Sequence, residues 1–320
     1  MIGKLIRVLR ETIKKFFEAR ILNVIDILPN GGILTLIDIG AAGEIQPRWK
    51  PFSKKLKYIG FEPDKRSRDT LNNKKNDFLE YIIYPHALAD IKKKVSLYLC
   101  RNPTGSSLYE PNTNFLANFP NAERLDVISR DTLSVIPIDS LDIKDADFIK
   151  IDIQGGELSA LKGANLQLER ILGLELEVEF IDLYKYQPLF GDICNHLSDK
   201  GFEFIDFVNL SRWERSAHNN FGQCTFGDGL FLRVPEKIKF QELGIIKISS
   251  YFTILMIYRR YDLLERALTL LPKELASEFE QFKNQMRKVQ SPNNFVRFII
   301  RILNILIPFL GSNYRFHLIY

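Results

Sequence analysis

The stretch Phe148-Ile-Lys-Ile-Asp-Ile-Gln-Gly-Gly-Glu-Leu-Ser-Ala-Leu-Lys-Gly163 decides the reading of the fold. Its apolar opening reads as a buried strand that delivers Asp152 to its carboxyl end, and Gly155-Gly156 turns the chain into a short helix. A strand buried on both faces and followed at once by a helix belongs to a mostly parallel sheet covered by helices. In open α/β sheets ligands bind at the carboxyl ends of the strands, near the point where strand order reverses. Asp152 is therefore a candidate site residue, with helix capping as its competing role.

Working outward, Leu36-Ile-Asp-Ile-Gly-Ala-Ala-Gly43 ends an earlier apolar strand. Small residues directly after such a strand let the backbone turn sharply and approach a ligand. The spacing is not G-x-G-x-x-G, and Asp38 before the turn suits an ammonium group better than a pyrophosphate. Tyr58-Ile-Gly-Phe-Glu-Pro63 ends the next strand, with Glu62 19 residues after Gly43. An acid there commonly accepts hydrogen bonds from ribose hydroxyls, and Pro63 stops the strand. The pair Asp38 and Glu62 on successive strand ends points to a nucleoside site.

The surrounding texture agrees. Residues 33–39, 58–62, 81–84, 148–153 and 171–180 read as strands, with shorter ones at 95–100 and 134–138. Residues 202–208 and 229–234 read as an antiparallel pair closing one edge. Ile2, Leu5, Ile6, Leu9, Ile13, Phe16 and Phe17 recur at helical spacing and predict an amphipathic helix over 2–20. Residues 250–310 read as three helices broken by Pro272 and by Ser291-Pro292. The predicted layout is an N-terminal helix and linker over 1–30, an α/β domain over 31–234 and a helical region over 235–320.

Composition narrows the class. With 46% hydrophobic and 26% charged residues in 320, the chain is neither disordered, collagenous nor a disulfide scaffold. The net charge of +5 is uneven: residues 1–20 carry +4 and residues 281–320 carry +6, which leaves −5 on the body. An acidic body argues against a nucleic-acid partner. Cys100, Cys194 and Cys224 are scattered, without metal or disulfide spacing, which suits a reducing cytoplasm. The N-terminus does not read as a signal peptide, and no stretch reaches the roughly 20 apolar residues of a membrane span. The basic segments 1–20 and 292–310 suit contact with an anionic membrane surface, on its inner face, or packing against protein or a second copy.

The ordered run D-I-G-A-A-G, F-E-P, P-H-A-L-A-D and F-I-K-I-D-I-Q-G-G-E-L-x-A-L-K-G-A resembles the FkbM family of S-adenosylmethionine-dependent methyltransferases over about residues 31–234. Thr104-Gly-Ser-Ser-Leu108, the strand at 172–180 and Gly227-Asp-Gly-Leu-Phe-Leu-Arg233 extend the likeness. The resemblance implies a class I methyltransferase fold: Rossmann-like α/β, a mostly parallel seven-stranded sheet with an antiparallel edge strand. By position it implies that Asp38, Gly40 and Ala41 shape the pocket for the methionine end of S-adenosyl-L-methionine, with Gly43 and Pro63 in the flanking loops. Glu62 would hold the ribose, His86 and Ala87 would border the adenine, and Asp152 would face the amino group or the acceptor. Two positions depart from the family pattern: Ala42 stands for an Asn, with the second Gly displaced to Gly43, and Gln154 stands for a Glu.

The family also implies a glycan, glycolipid or small-molecule acceptor methylated on a sugar hydroxyl. An alcohol acceptor needs a base, and Asp152, His86, His218 and Glu177 are the candidates, with Glu179 beside them. Glu175, Glu177 and Glu179 alternate on one strand face, which alone would suit a polar surface. No cluster has metal-ligand spacing. One rival is a metal-dependent glycosyltransferase using Asp145-Ala-Asp147, although that pair precedes its strand and reads as a turn. The other is a non-catalytic module organising a membrane complex, against which the three cofactor carboxylates argue.

Overall fold

The computed structural model describes residues 2–43, 45–71, 75, 77–216 and 222–290. The described residues divide into two compact units, one within residues 35–45 and 56–233, the other within residues 2–34, 46–55 and 234–290. The strands are β1 (Leu34–Ile39), β2 (Leu56–Phe61), β3 (Glu80–Tyr84), β4 (Ala87–Leu88) and β5 (Lys93–Cys100). They continue as β6 (Val127–Ile136), β7 (Phe148–Ile151), β8 (Gly173–Glu179), β9 (Glu203–Trp213) and β10 (Gln223–Leu232). The helices are α1 (Ile2–Ile25), α2 (Lys65–Leu71), α3 (Thr113–Leu116), α4 (Glu157–Lys162) and α5 (Asn165–Arg170). After them come α6 (Phe190–Asp199), α7 (Ile245–Ile257), α8 (Tyr261–Leu270), α9 (Lys273–Ala276) and α10 (Glu280–Gln290).

Seven strands form the main sheet in the order β3-β2-β1-β7-β8-β10-β9. Pairing is parallel from β2 to β3, β1 to β7 and β7 to β8, and antiparallel on both sides of β10. Strand order reverses between β1 and β7, and that switch point is where ligands bind in such sheets. This is the class I methyltransferase sheet that the motifs implied, with one adjustment. The antiparallel strand β10 is not the edge itself; its hairpin with β9 returns it to the side of β8 and leaves β9 outermost. Both hairpin strands are longer than the apolar runs suggested, because an edge ribbon keeps polar residues such as Asn209, Ser211 and Thr225.

The core follows from strand alternation. Leu174, Leu176 and Val178 of β8 join Ile149 and Ile151 of β7 and Ile37 and Ile39 of β1 in one apolar cluster, with Leu161, Leu168 and Leu197 from the helices above it. A separate small sheet, β4-β6-β5, lies within the same unit. Most of β6 is exposed on both faces, so its polar first half, residues 127–133, carried no strand signal.

In the other unit α1 neighbours α7 and α10, and Ile21, Val24 and Ile25 at its carboxyl end are buried. Helix α7 is buried over ten consecutive residues, Ile248 to Ile257. Its Phe252 stacks on Phe282 and meets Phe279 edge-on. Among the described residues no helix is long and apolar enough to cross a membrane. The basic helix expected over 292–310 lies outside the described residues.

Candidate active site

Three successive carboxyl ends meet at the switch point. Gly40 turns the chain out of β1 with φ +84°, and its N–H and that of Ala41 both donate to the Phe61 carbonyl that ends β2. On its other side a Cβ at Gly40 would stand 2.0 Å from the Asp152 carbonyl oxygen. Only glycine accepts both that φ and that approach. Asp152 in turn donates its N–H to Ile39 O, so the end of β7 is fixed to the end of β1.

Asp38 and Lys150 are register partners on β1 and β7. The Lys150 ammonium lies 3.2 Å from Asp38 Oδ1 and 3.6 Å from Asp152 Oδ2, and it donates to Gly40 O at 3.2 Å. Tyr58 donates its hydroxyl proton to Asp38 Oδ2 at 2.7 Å. Burial alone would lower the Lys150 pKa, but Asp38 and Asp152 raise it well above the ordinary lysine range. The ammonium beside the buried Asp38 carboxylate is the chain's own, and the more exposed Asp152 is the acid that faces outward. The signal was present, since Lys150 is the lone cation in an apolar strand two residues before Asp152.

Glu62 is buried at the end of β2, where Oε1 accepts the Asp64 N–H at 2.8 Å. Burial raises its pKa, against the pull of that N–H. Arg68 of α2 donates to the carbonyls of Glu62 and Pro63 and so fixes the loop. Next to it Phe61 stacks on Tyr84, and Tyr84 on a half-buried His86. Ala87 begins β4. Ala42 and Gly43 are exposed in the loop after β1, and nothing lies within 4 Å of a Cβ at Gly43.

The turn after β7 carries the second group. Gln154 (φ +56°) and Gly155 (φ +93°) are both left-handed. Glu157 reaches back from α4 to accept the Ile153 N–H at 2.8 Å, so Glu157 rather than Asp152 caps this turn. Burial pushes the Glu157 carboxyl up to about 7 against those backbone N–H groups. The Gln154 side-chain amide donates to Asp152 Oδ1 at 3.2 Å and to Glu177 Oε2. The Tyr184 hydroxyl lies 3.3 Å from its oxygen and donates its proton to Gly105 O at 2.9 Å, while Ser107 donates to the Gln154 backbone carbonyl. An amide supplies the proton that a Glu at 154 would lack between two carboxylates.

Glu175, Glu177 and Glu179 are all buried, so their alternation is not a solvated face. Burial, and then the neighbouring carboxylates, raise Glu177 and Glu179 well above the ordinary range. Both line a cavity of about 210 Å³ together with Gln154, Tyr184, Trp213 and Phe226. Sequence reasoning singled out Glu177 but missed Gln154 as a bridge and the aromatic residues, which converge from the open end of the β9–β10 hairpin and the loop after β8.

The remaining candidates separate. His86 follows β3, four strands from β8 in the sheet order, so it shares no place with Glu177. His218 lies outside the described residues. Asp147 is buried at the opposite end of β7, where Oδ2 accepts the Thr35 N–H at 2.8 Å and ties the starts of two strands together. Asp145 stands in the preceding loop with φ +59°. That pair is a structural turn, away from the carboxyl ends of the parallel strands. Among the described residues no cluster of His, Cys, Asp or Glu is arranged to hold a metal ion.

Residues 38–204, just over half of the chain, match the family model described as the methyltransferase FkbM domain. Among solved structures, an FkbM methyltransferase from Methylobacillus flagellatus KT is similar at 17% identity and a TM-score of 0.38. The match covers 62% of this chain and 44% of that one, so it spans less than half of that protein. Magnesium protoporphyrin IX methyltransferase from Synechocystis PCC 6803, solved with bound SAM, is similar at 14% identity and a TM-score of 0.34, over 72% of this chain and 83% of that one. No curated protein matches the chain. The matched span contains Asp38, Glu62 and Asp152 and most of the seven-stranded sheet that gathers them, and the chain belongs to the FkbM methyltransferase family, the S-adenosylmethionine-dependent methyltransferases that its motifs resemble.

Proposed function

We propose that the protein methylates a hydroxyl group of a sugar, in a glycan, glycolipid or related metabolite, with Glu177 as the base. The observation that carries this reading is the Gln154 amide, which bridges Asp152 and Glu177. The carboxylate expected beside the cofactor and the carboxylate facing the cavity are thus one side chain apart.

The residues present fit S-adenosylmethionine. Glu62 offers a buried carboxylate with one oxygen held by Asp64, Asp152 faces outward, and the turn at Gly40 has no side chain. When bound, that cofactor supplies a methyl carbon activated by a positive sulfur. Asp152 holds its ammonium and Glu62 its ribose hydroxyls. Lys150 keeps Asp38 neutralised, so the acid nearest the turn does not draw the cofactor inward.

At the cavity, the Glu177 carboxylate would take the proton of the acceptor hydroxyl, and the bound cofactor would supply the methyl carbon to that oxygen. Positioning supplies much of the catalysis in such an in-line displacement. Burial and the neighbouring Asp152 raise the Glu177 pKa, which makes its carboxylate a stronger proton acceptor than an ordinary one.

Full-length protein incubated with methyl-labelled cofactor and a polysaccharide and lipid extract of the source organism tests the reading. Label should appear as an acid-stable O-methyl sugar, and Glu177→Gln should abolish it. Label recovered on nitrogen or on a nucleobase would overturn the acceptor assignment.

A further inference from the structure

The cavity beside Gln154 changes character from floor to rim. Glu177 and Glu179 on β8 are buried, while Arg124 and Trp213 in the same lining are half-buried. The Arg124 guanidinium lies 4.3 Å over the Trp213 ring, which Phe119 and Phe226 meet edge-on at 5.6 and 6.1 Å. The exposed Arg215 places its guanidinium 4.9 Å over Phe119 and donates from one Nη to Gln223 Oε1 at 2.7 Å. Two guanidinium groups therefore stand on neighbouring rings that hold each other in place.

Stacking holds a guanidinium by its flat face and leaves the N–H groups along its edge to a ligand. Among the described residues neither arginine pairs with a carboxylate, and no acceptor takes the Arg124 N–H groups. Asp126, two residues on, is engaged by Arg101 at 3.4 Å. Asn102 and Thr104 belong to the same lining, and Asn102 Oδ1 accepts the Thr104 N–H at 3.3 Å, which leaves the amide NH2 as a donor.

Charge decides among ligand classes. Two guanidinium groups disfavour a cation, and a neutral ligand would leave both charges without a counterpart. A carboxylate fills one guanidinium fork, whereas a phosphate monoester, with close to two negative charges and three terminal oxygens, can engage two. Glu177 and Glu179 hold their protons more firmly than ordinary carboxyl groups, which limits their repulsion of an anion at the rim.

We propose that Arg124 and Arg215 form an anion subsite on the rim of this cavity and hold a phosphate group of the acceptor, away from the hydroxyl that is methylated. Binding energy from such a non-reacting group would position that hydroxyl at Glu177. The methyltransferase reading is needed to call the ligand an acceptor, but not for the anion site itself.

Ligand-observed NMR on the full chain tests it, with glycerol 3-phosphate as the phosphate probe, glycerol as its neutral counterpart and acetate as the carboxylate. Co-sedimentation with phosphatidylcholine vesicles, with and without phosphatidic acid, asks whether the phosphate is carried on a lipid. Glycerol 3-phosphate should bind saturably, acetate about tenfold more weakly or less, and glycerol not at all. Arg124→Gln should weaken phosphate binding about tenfold and the more exposed Arg215→Gln about threefold. Unchanged S-adenosylhomocysteine affinity by calorimetry would show that both variants are folded. Sedimentation with phosphatidic acid that falls in the variants and is displaced by glycerol 3-phosphate supports the subsite with a lipid-borne phosphate. Glycerol 3-phosphate binding, with sedimentation indifferent to the variants, supports it with a soluble one. Absence of glycerol 3-phosphate binding to the wild type, binding undiminished in Arg124→Gln, or acetate bound as tightly would overturn it. Failure of S-adenosylhomocysteine to bind the wild type would instead count against the methyltransferase reading, with the phosphate arms still judging the rim.

Discussion

Lys150 holds Asp38 across adjacent strands, its ammonium 3.2 Å from Oδ1 while Tyr58 donates to Oδ2. Both side chains are more than nine-tenths buried, so each charge depends on the other. Removing one partner of such a pair typically costs about 3–5 kcal/mol, because the other is left buried and uncompensated. Lys150→Met should therefore lower the urea-unfolding free energy by about that much, and Asp38→Asn combined with Lys150→Met should recover most of the loss. A single variant as stable as the wild type would mean that water reaches this pair.

Glu62→Ala leaves two ribose hydroxyls without their acceptor. The loss of about 1.5–3 kcal/mol of charge-assisted hydrogen bonding weakens S-adenosylhomocysteine binding roughly 10- to 150-fold. Asp152→Asn should fold normally and lose most turnover, and calorimetry should show weaker cofactor binding. Normal turnover would reduce Asp152 to a bystander of the Lys150 pair.

Much of this site is legible in the sequence because it depends on local rules. An apolar strand, an acid at its end and a small-residue turn place Asp38, Glu62 and Asp152 together once the sheet is parallel. What the sequence hides depends on register and on loops. Lys150 meets Asp38 only because β1 and β7 pair as they do, and Glu175 to Glu179 are buried only because structure covers that face of β8. Trp213 reaches Gln154's cavity from the end of β9 and Tyr184 from the loop after β8, a convergence that no periodicity announces.

Gly40→Ala should be severe. A Cβ would stand 2.0 Å from a backbone oxygen in a conformation with φ +84°, and neither can yield without separating β1 from β7. Strain at such a φ alone costs on the order of 1–3 kcal/mol, before the clash is counted. Soluble expression with a wild-type melting temperature would show that the turn can move.

Stability should respond to pH through β8. The folded-state pKa of Glu179 is raised above the usual 4.5, chiefly by burial. The folded protein thus binds this proton more tightly than the unfolded chain does, and that contribution is present below about 4.5 and lost as pH rises. Glu179→Gln keeps the neutral shape at every pH. Its melting temperature relative to wild type should therefore climb between pH 5 and pH 8. A constant difference would place the carboxylate in contact with solvent.

Titration of the full-length protein with S-adenosylhomocysteine by calorimetry tests the central claim most directly, that the carboxyl ends of β1, β2 and β7 form a cofactor site. The account predicts one saturable site in the wild type, markedly weakened by Glu62→Ala in a protein that remains folded. No binding to the wild type, or equal affinity in the variant, would contradict it.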